Sequence, residues 1–455
     1  MNGHLKGPIA AIAAAAALSA CSTAQRIGDA VWPFSGEGES SAPLVPEDGR
    51  ISILSFEQQL TPDPALASQT IATPQPVSFT EWSQPGGVAS NAPSNVAGEG
   101  TLARAWRSEL GDGANRDRTL SGPPVISEGL LFFLDADHRV HAIDAATGNR
   151  RWTREMRPEG GEDRRARGGG VAAAGGRVFV TTGFGFIAAI DAANGDEVWR
   201  TNGGAPFHSA PVVAGGRVFA TTNDSELMAF DAGTGAVQWT HQAIAEPARI
   251  LSSSSVAVSG ESVIAPFASG ELTALLAANG RRLWTDSLSR TGRLTSLSAI
   301  NDIAGRPVVD NGVVYAASHS GVLTAIDLRT GQRIWDRPFA STQTPLIAGD
   351  VLYAVSVDGE LAAFDRTSGG VYWVRQLRRF EDEEDRENRI AWTGPIMVGG
   401  KLILASSLGE VVAVAPQNGT ITATSDVEDP VFIPPITANG SIYVVTNEAR
   451  LVVLR

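Results

Sequence analysis

From about residue 101 onward the apolar residues fall in short runs broken by glycine, a rhythm that predicts strands and tight turns. The segment 306–339 shows it most clearly. Pro307-Val308-Val309 is followed by Asn311-Gly312, Val313-Val314-Tyr315-Ala316-Ala317, Gly321, Leu323-Thr324-Ala325-Ile326-Asp327, Thr330-Gly331 and Arg333-Ile334-Trp335. Four short strands separated by turns are the outline of one antiparallel sheet.

The outline repeats. Asp144, Gly148 and Trp152 have the spacing of Asp191, Gly195 and Trp199, of Asp231, Gly235 and Trp239, and of Asp365, Gly369 and Trp373. Neighbouring tryptophans stand between 38 residues (Trp335 to Trp373) and 51 residues (Trp284 to Trp335) apart, a period that signals a propeller or a solenoid. Two copies are degenerate. The one ending at Trp284 keeps Gly280 and has Ala277 in the Asp place; the one around Gly419 has Pro416 in the Asp place and Ala423 in the Trp place. Pro435, Gly440, Ile442-Tyr443 and Leu451-Val452-Val453-Leu454 give three strands of a last copy, and residues 102–110, with Trp106, give a lone fourth strand ahead of the first full unit. Joining these closes a ring. The expected fold is all-β: an eight-bladed β-propeller of four-stranded antiparallel blades over residues 101–455, its C-terminal blade completed by an N-terminal strand.

The repeated residues have structural reasons. A Gly after the Asp turn adopts positive φ, the Asp carboxylate accepts N–H groups of that turn, and the Trp buries its ring between blades with its N–H on a carbonyl. A residue present in most blades marks the architecture and not one active site.

Residues 1–20 read as an export signal: Lys6, an apolar run over 8–17 too short to span a bilayer, then Leu18-Ser19-Ala20 ahead of Cys21, the chain's only cysteine. That order resembles the bacterial lipobox, which implies acylation of Cys21, and Ser22 after it implies transfer to the outer membrane. A single cysteine allows no intrachain disulfide. Residues 21–100 are rich in Pro, Ser, Gly, Ala and Gln and read as a tether, with 51–66 a short helix or docking segment and Trp82-Ser83-Gln84-Pro85-Gly86-Gly87 packing on the following domain. The net charge of -13 argues against a nucleic-acid partner, and the lipid is the expected membrane contact.

Ala142-Ile143-Asp144-Ala145-Ala146-Thr147-Gly148-Asn149-Arg150-Arg151-Trp152 resembles the PQQ-like propeller repeat. Two families use that repeat: quinoprotein dehydrogenases, which hold pyrroloquinoline quinone and calcium on the propeller axis, and BamB, a lipoprotein of the outer-membrane β-barrel assembly machine. The dehydrogenase resemblance would imply a calcium-binding carboxylate and amide set, an Asp base and, in many members, adjacent cysteines; no adjacent cysteines are present, and Trp32, Trp82 and Trp392 offer no obvious floor for a planar cofactor. The lipobox, tether and eight repeats resemble BamB more closely. That resemblance implies a scaffold without a cofactor, lipid-anchored in the outer membrane and facing the periplasm. It would dock on a POTRA domain of BamA and assist nascent outer-membrane proteins. The docking residues it implies are Arg249, Ile250 and Leu251, an apolar-plus-Arg segment, and Asp302, with Ala304 in the place of a second Asp before Pro307-Val308-Val309. Another envelope scaffold or sensor is the third reading.

His138 and His141 have a His-x-x-His spacing but sit at a hairpin without a completing ligand set, so no metal site is expected. Two charged insertions, 154–167 and 378–389, read as solvated loops, with a binding loop on one rim as the alternative.

Overall fold

A computed structural model describes residues 60–158, 166–246, 250, 253–289 and 300–455. These residues form eight four-stranded antiparallel blades. Blades 1 to 7 cover residues 125–155, 169–202, 212–242, 257–287, 308–338, 346–376 and 392–426. Blade 8 is made of Ile436–Ala438, Ser441–Val445 and Arg450–Leu454, and Arg104–Glu109 adds antiparallel to the last of them as its outermost strand. The ring therefore closes as the sequence predicts. Ala103 N donates to the Arg455 carbonyl at 3.1 Å and Arg455 N returns the bond at 3.0 Å, with the Thr101 hydroxyl on the same carbonyl.

Burial follows strand position. In blade 3 the second and third strands, Arg217–Thr221 and Glu226–Asp231, are buried along nearly their whole length, because neighbouring blades cover both faces. The fourth, Val237–Gln242, alternates between exposed and covered positions as expected at an outer edge.

The Asp-Gly-Trp unit does the work expected of it. Asp231 Oδ1 accepts from Gly233 N at 3.0 Å and Thr234 N at 2.9 Å, and Gly235 closes the turn at φ 75°. Each indole then reaches into the next blade: Trp152 Nε1 donates to Ala192 O at 3.0 Å, Trp199 to Ala232 O at 3.2 Å, Trp239 to Ala277 O at 3.0 Å and Trp284 to Leu328 O at 2.8 Å. Trp335 and Trp373 bond Arg366 O and Pro416 O, each at 2.9 Å. These bonds correct the register of the two degenerate copies. Leu276 and Ala415, whose carbonyls accept from Gly280 N and Gly419 N, stand in the Asp places, while Ala277 and Pro416 stand one residue later and receive the indoles. The turn survives without the carboxylate because its main-chain bond and the positive φ of the glycine, 72° at both Gly280 and Gly419, remain.

The seam that closes the ring is built differently. Trp106 packs over Gly148, and the bond to the Ala145 carbonyl comes from the Tyr443 hydroxyl at 3.1 Å.

The tether boundary also changes. Residues 60–455 form one compact unit, so the expectation of a loose tether reaching residue 100 is corrected: from Leu60 onward the chain lies on the ring. Asp63 exchanges two bonds with Val371, Asp63 N to Val371 O at 2.9 Å and Val371 N to Asp63 Oδ2 at 2.8 Å, and the one-turn helix Pro64–Ala67 packs on the outer strand of blade 6. Residues 51–59 of the proposed helical segment lie outside the described residues, as do the export signal, Cys21 and the rest of the tether.

Candidate functional site

Residues 79–98 run across the ring's axis, at the end where the first and second strands of each blade turn, bonding to one innermost strand after another. Asn439 N donates to Phe79 O, Trp82 exchanges two bonds with Ile126, Ala173 N donates to Ser83 O, Val258 N to Ala89 O and Val309 N to Ser90 O. Asn95–Val96 then pairs parallel with the innermost strand of blade 7. The motif expected to pack on the domain does so, across its axis. Gly86 leaves the space in which the Asn91 side-chain oxygen sits, and Gly87, at φ 85°, lies against the Trp82 ring. Trp82 is 2% exposed.

The opposite end of the ring carries the loops from the outermost strand of one blade to the innermost strand of the next. Ile250 belongs to the loop between blades 3 and 4, and Asp302 to that between blades 4 and 5. Ile250 N donates to Asp302 Oδ2 at 2.8 Å, so the structure brings together residues 52 positions apart. Arg249 and Leu251 lie outside the described residues. Asp302 is 6% exposed. Asp302 therefore braces the loop that carries Ile250.

Between this end and the plug lies the feature that the sequence reading missed. A funnel of about 240 Å³, lined in part by Ile250, Phe432, Ile433 and Leu120, narrows to Arg306. Below it a chamber of about 30 Å³, room for a water or two, lies between Arg306, Trp82 and Asn91. Trp82 Nε1, Asn91 Oδ1 and Arg306 Nε are all buried without a protein partner. Burial draws the Arg306 guanidinium down to about 10, so it stays a cation at neutral pH, and among the described residues no acidic neighbour offsets that pull. A signal for Arg306 was present in the repeat. In the register set by strand pairing, its place holds Pro123, Gly170, Ala210, Ser255, Thr344, Gly394 and Pro434 in the other blades. Innermost strands converge on the axis and leave room there for small or cyclic side chains; one blade places a long cation instead.

Trp82 thus stands on the axis, a position that its place outside the repeats did not reveal. The residues around it still do not fit a quinone with calcium. Among the described residues no Asp or Glu lines either the chamber or the funnel, so calcium would lack a carboxylate.

The two histidines are engaged separately. His141 Nε2 lies 2.8 Å from Asp135 Oδ2 and its Nδ1 lies 3.0 Å from Thr153 Oγ1. His138 Nε2 accepts from Gly183 N at 3.1 Å, and burial pulls the ring down to about 4, leaving it neutral. Burial also works to raise Asp135, but bonds from His141 and the Arg139 N–H outweigh it and hold the carboxyl below its ordinary value. Among the described residues no group of three or more His, Cys, Asp and Glu could hold a metal, and no helix is long and apolar enough to cross a membrane.

The charged insertions differ in kind. Arg157, at the start of the first, joins Arg118 and Arg139 around the buried Asp137 carboxylate, so this arm begins as structure; residues 159–165 lie outside the described residues. The second forms an exposed hairpin, Phe380–Asp382 against Glu387–Arg389, tied to Asp358 by Arg389 and Arg379.

The chain resembles known proteins in both sequence and fold. The family model for outer membrane protein assembly factor BamB matches residues 97–166 and 136–375. The Escherichia coli (strain K12) protein of that name is 27% identical over 360 residues, 78% of this chain and 89% of its own length. The Yersinia pestis protein is 27% identical over 242 residues, 52% of this chain but only 61% of its own length. Among solved structures, BamB from Moraxella catarrhalis superposes with a TM-score of 0.65 at 20% identity, covering 78% of this chain and all but 1% of that one, or 99%. A quinohemoprotein alcohol dehydrogenase from Comamonas testosteroni gives 0.64 at 15% identity, covering 82% of this chain and 80% of its own, a likeness of fold alone. With eight PQQ-like blades and a family model matching more than half its length, the chain belongs to the BamB family of outer membrane protein assembly factors.

Proposed function

We propose that this protein is a lipid-anchored scaffold of the outer-membrane β-barrel assembly machinery that works without turnover. Membership of the BamB family carries the reading. In it Cys21 bears the lipid, the polar stretch behind it spaces the ring from the outer membrane, and the ring faces the periplasm. The end of the ring that bears Ile250 docks on a POTRA domain of a BamA-like subunit and assists the folding and insertion of nascent outer-membrane proteins.

The braced loop pair supports this choice of face. Asp302 fixes the main chain at Ile250, which lowers the ordering cost of presenting a partly buried apolar side chain to a partner. Arg249 and Leu251 flank Ile250 in the same segment. An apolar residue with an Arg beside it suits a small binding hot spot.

The test is recovery of partners from detergent-solubilised membranes with the tagged full-length protein. A POTRA-containing barrel protein is the expected partner, and its recovery should fall when Ile250 is replaced by Asp. Recovery of no such protein, or undiminished recovery with Ile250→Asp, refutes the reading of partner or of face respectively.

A further inference from the structure

Arg306 is out of character with its position. Seven blades place a small residue or proline where it stands, and no carboxylate among the described residues pairs with it. Arg306 keeps part of its surface open while its Nε is buried, and a cation set so deep is costly unless something supplies an anion or solvates it. The site nevertheless holds it firmly. Arg306 N donates to Thr344 Oγ1 at 3.1 Å, Gly305 presses on the Gln343 backbone so closely that a side chain there could not fit, and Ser254 Oγ donates to the Gly305 carbonyl at 3.1 Å.

The surroundings narrow the choice of anion. Above the guanidinium the funnel sets Ile250, Phe432 and Ile433 beside Ser121, Ser253 and Thr342, and Phe432 at its rim is 53% exposed. Phosphate and sulfate, strongly hydrated and without an apolar part, gain nothing from the apolar side of that wall. A carboxylate matches the planar fork of an arginine through two parallel hydrogen bonds, and an apolar body attached to it would cover the walls. The volume of about 240 Å³ accommodates one such group of modest size. In a chain of net charge -13, a recessed cation on the axis is also a local attractor for anions that the rest of the surface repels.

We infer that the axial funnel above Arg306 is a binding site for a carboxylate carried on an apolar body, with the guanidinium holding the carboxylate and the Ile250 and Phe432 side chains covering the rest. Two sources share that chemistry: the terminal carboxylate of a polypeptide ending in an apolar residue, and a free fatty acid. The site shares Ile250 with the proposed docking end, but its test reads binding of a small acid and not recovery of a partner.

The experiment is titration calorimetry of the purified full-length chain with N-acetyl-leucine, its carboxamide and octanoate. At least one acid should bind, and N-acetyl-leucine carboxamide, which has the same body without the charge, should bind at least about tenfold more weakly than the acid, as expected for loss of a charge-assisted pair. Arg306→Gln should weaken the acids by a similar factor. The comparison of acid with carboxamide uses the unaltered protein, so it stands even if the variant folds poorly. Tighter binding of N-acetyl-leucine identifies a chain terminus, tighter binding of octanoate identifies an acyl chain, and either supports a carboxylate site. Equal binding of acid and carboxamide, or no binding of either acid below about 10 mM, overturns it.

Discussion

Removing the Asp302 carboxylate is the sharpest probe of how the docking end is built. Asp302 Oδ2 accepts the Ile250 N–H at 2.8 Å at a site only 6% exposed, so Asp302→Ala leaves a backbone donor without its partner where water has little access. A hydrogen bond to a charged acceptor contributes about 1.5–3 kcal/mol, and for a chain of this length each kcal/mol moves the melting temperature by roughly 1 °C. Asp302→Ala should therefore melt about 2–4 °C lower by circular dichroism. Asp302→Asn keeps an oxygen that can accept the same N–H and should recover at least half of that loss. Membrane recovery of the barrel subunit separates two roles. If Asp302 acts by bracing the loop, Asn retains the partner and Ala loses it; if its charge meets the partner, Asn and Ala lose it alike. An Asp302→Ala protein with the wild-type melting temperature would refute the bracing argument outright.

Other consequences can be measured without a partner. His138 has a folded value of about 4 against an ordinary 6.5, so the unfolded chain takes up its proton first as the pH falls; stability should be full above pH 6.5, decline by roughly 3 kcal/mol between 6.5 and 4 and then level off, and His138→Gln should flatten that part of the urea-midpoint profile. In blade 4, Gly280→Ala would place its Cβ 2.6 Å from the Trp239 ring at φ 72°, whereas Gly260→Ala at φ 55° meets nothing within 4 Å. The first should cost at least about 2 kcal/mol more than the second, and equal urea midpoints would remove the indole stack as the reason for that glycine. Trp82→Ala should cost about 3–5 kcal/mol by urea denaturation although it lies outside every repeat. Cys21→Ser should melt as the wild type does and leave the membrane fraction; retention in that fraction would argue against a lipid on Cys21.

The sequence by itself determined the ring. Apolar runs of strand length, an Asp-Gly turn and a Trp at fixed spacing are local signals, and their recurrence fixes the number of blades because each sheet can bury its faces only against a like neighbour. Even the closing strand was legible, since three strands at one end and one at the other leave a single way to finish the last sheet. Register within the degenerate copies was less secure. Without the Asp, only the hydrogen bonds show that Leu276 and Ala415, and not Ala277 and Pro416, stand in the turn.

Tertiary structure alone decided what lies on the axis. The stretch 79–98 has the composition of a linker, because a segment that bonds to six of the eight blades through its main chain has little need of apolar side chains of its own. Ile250 and Asp302 meet because neighbouring blades bring their connecting loops to one end of the ring, a proximity that a spacing of 52 residues does not encode. Arg306 was visible as a letter but not as an exception. Its meaning depends on eight innermost strands converging until a long side chain has only the axis to occupy, and on no carboxylate among the described residues having come there to meet it.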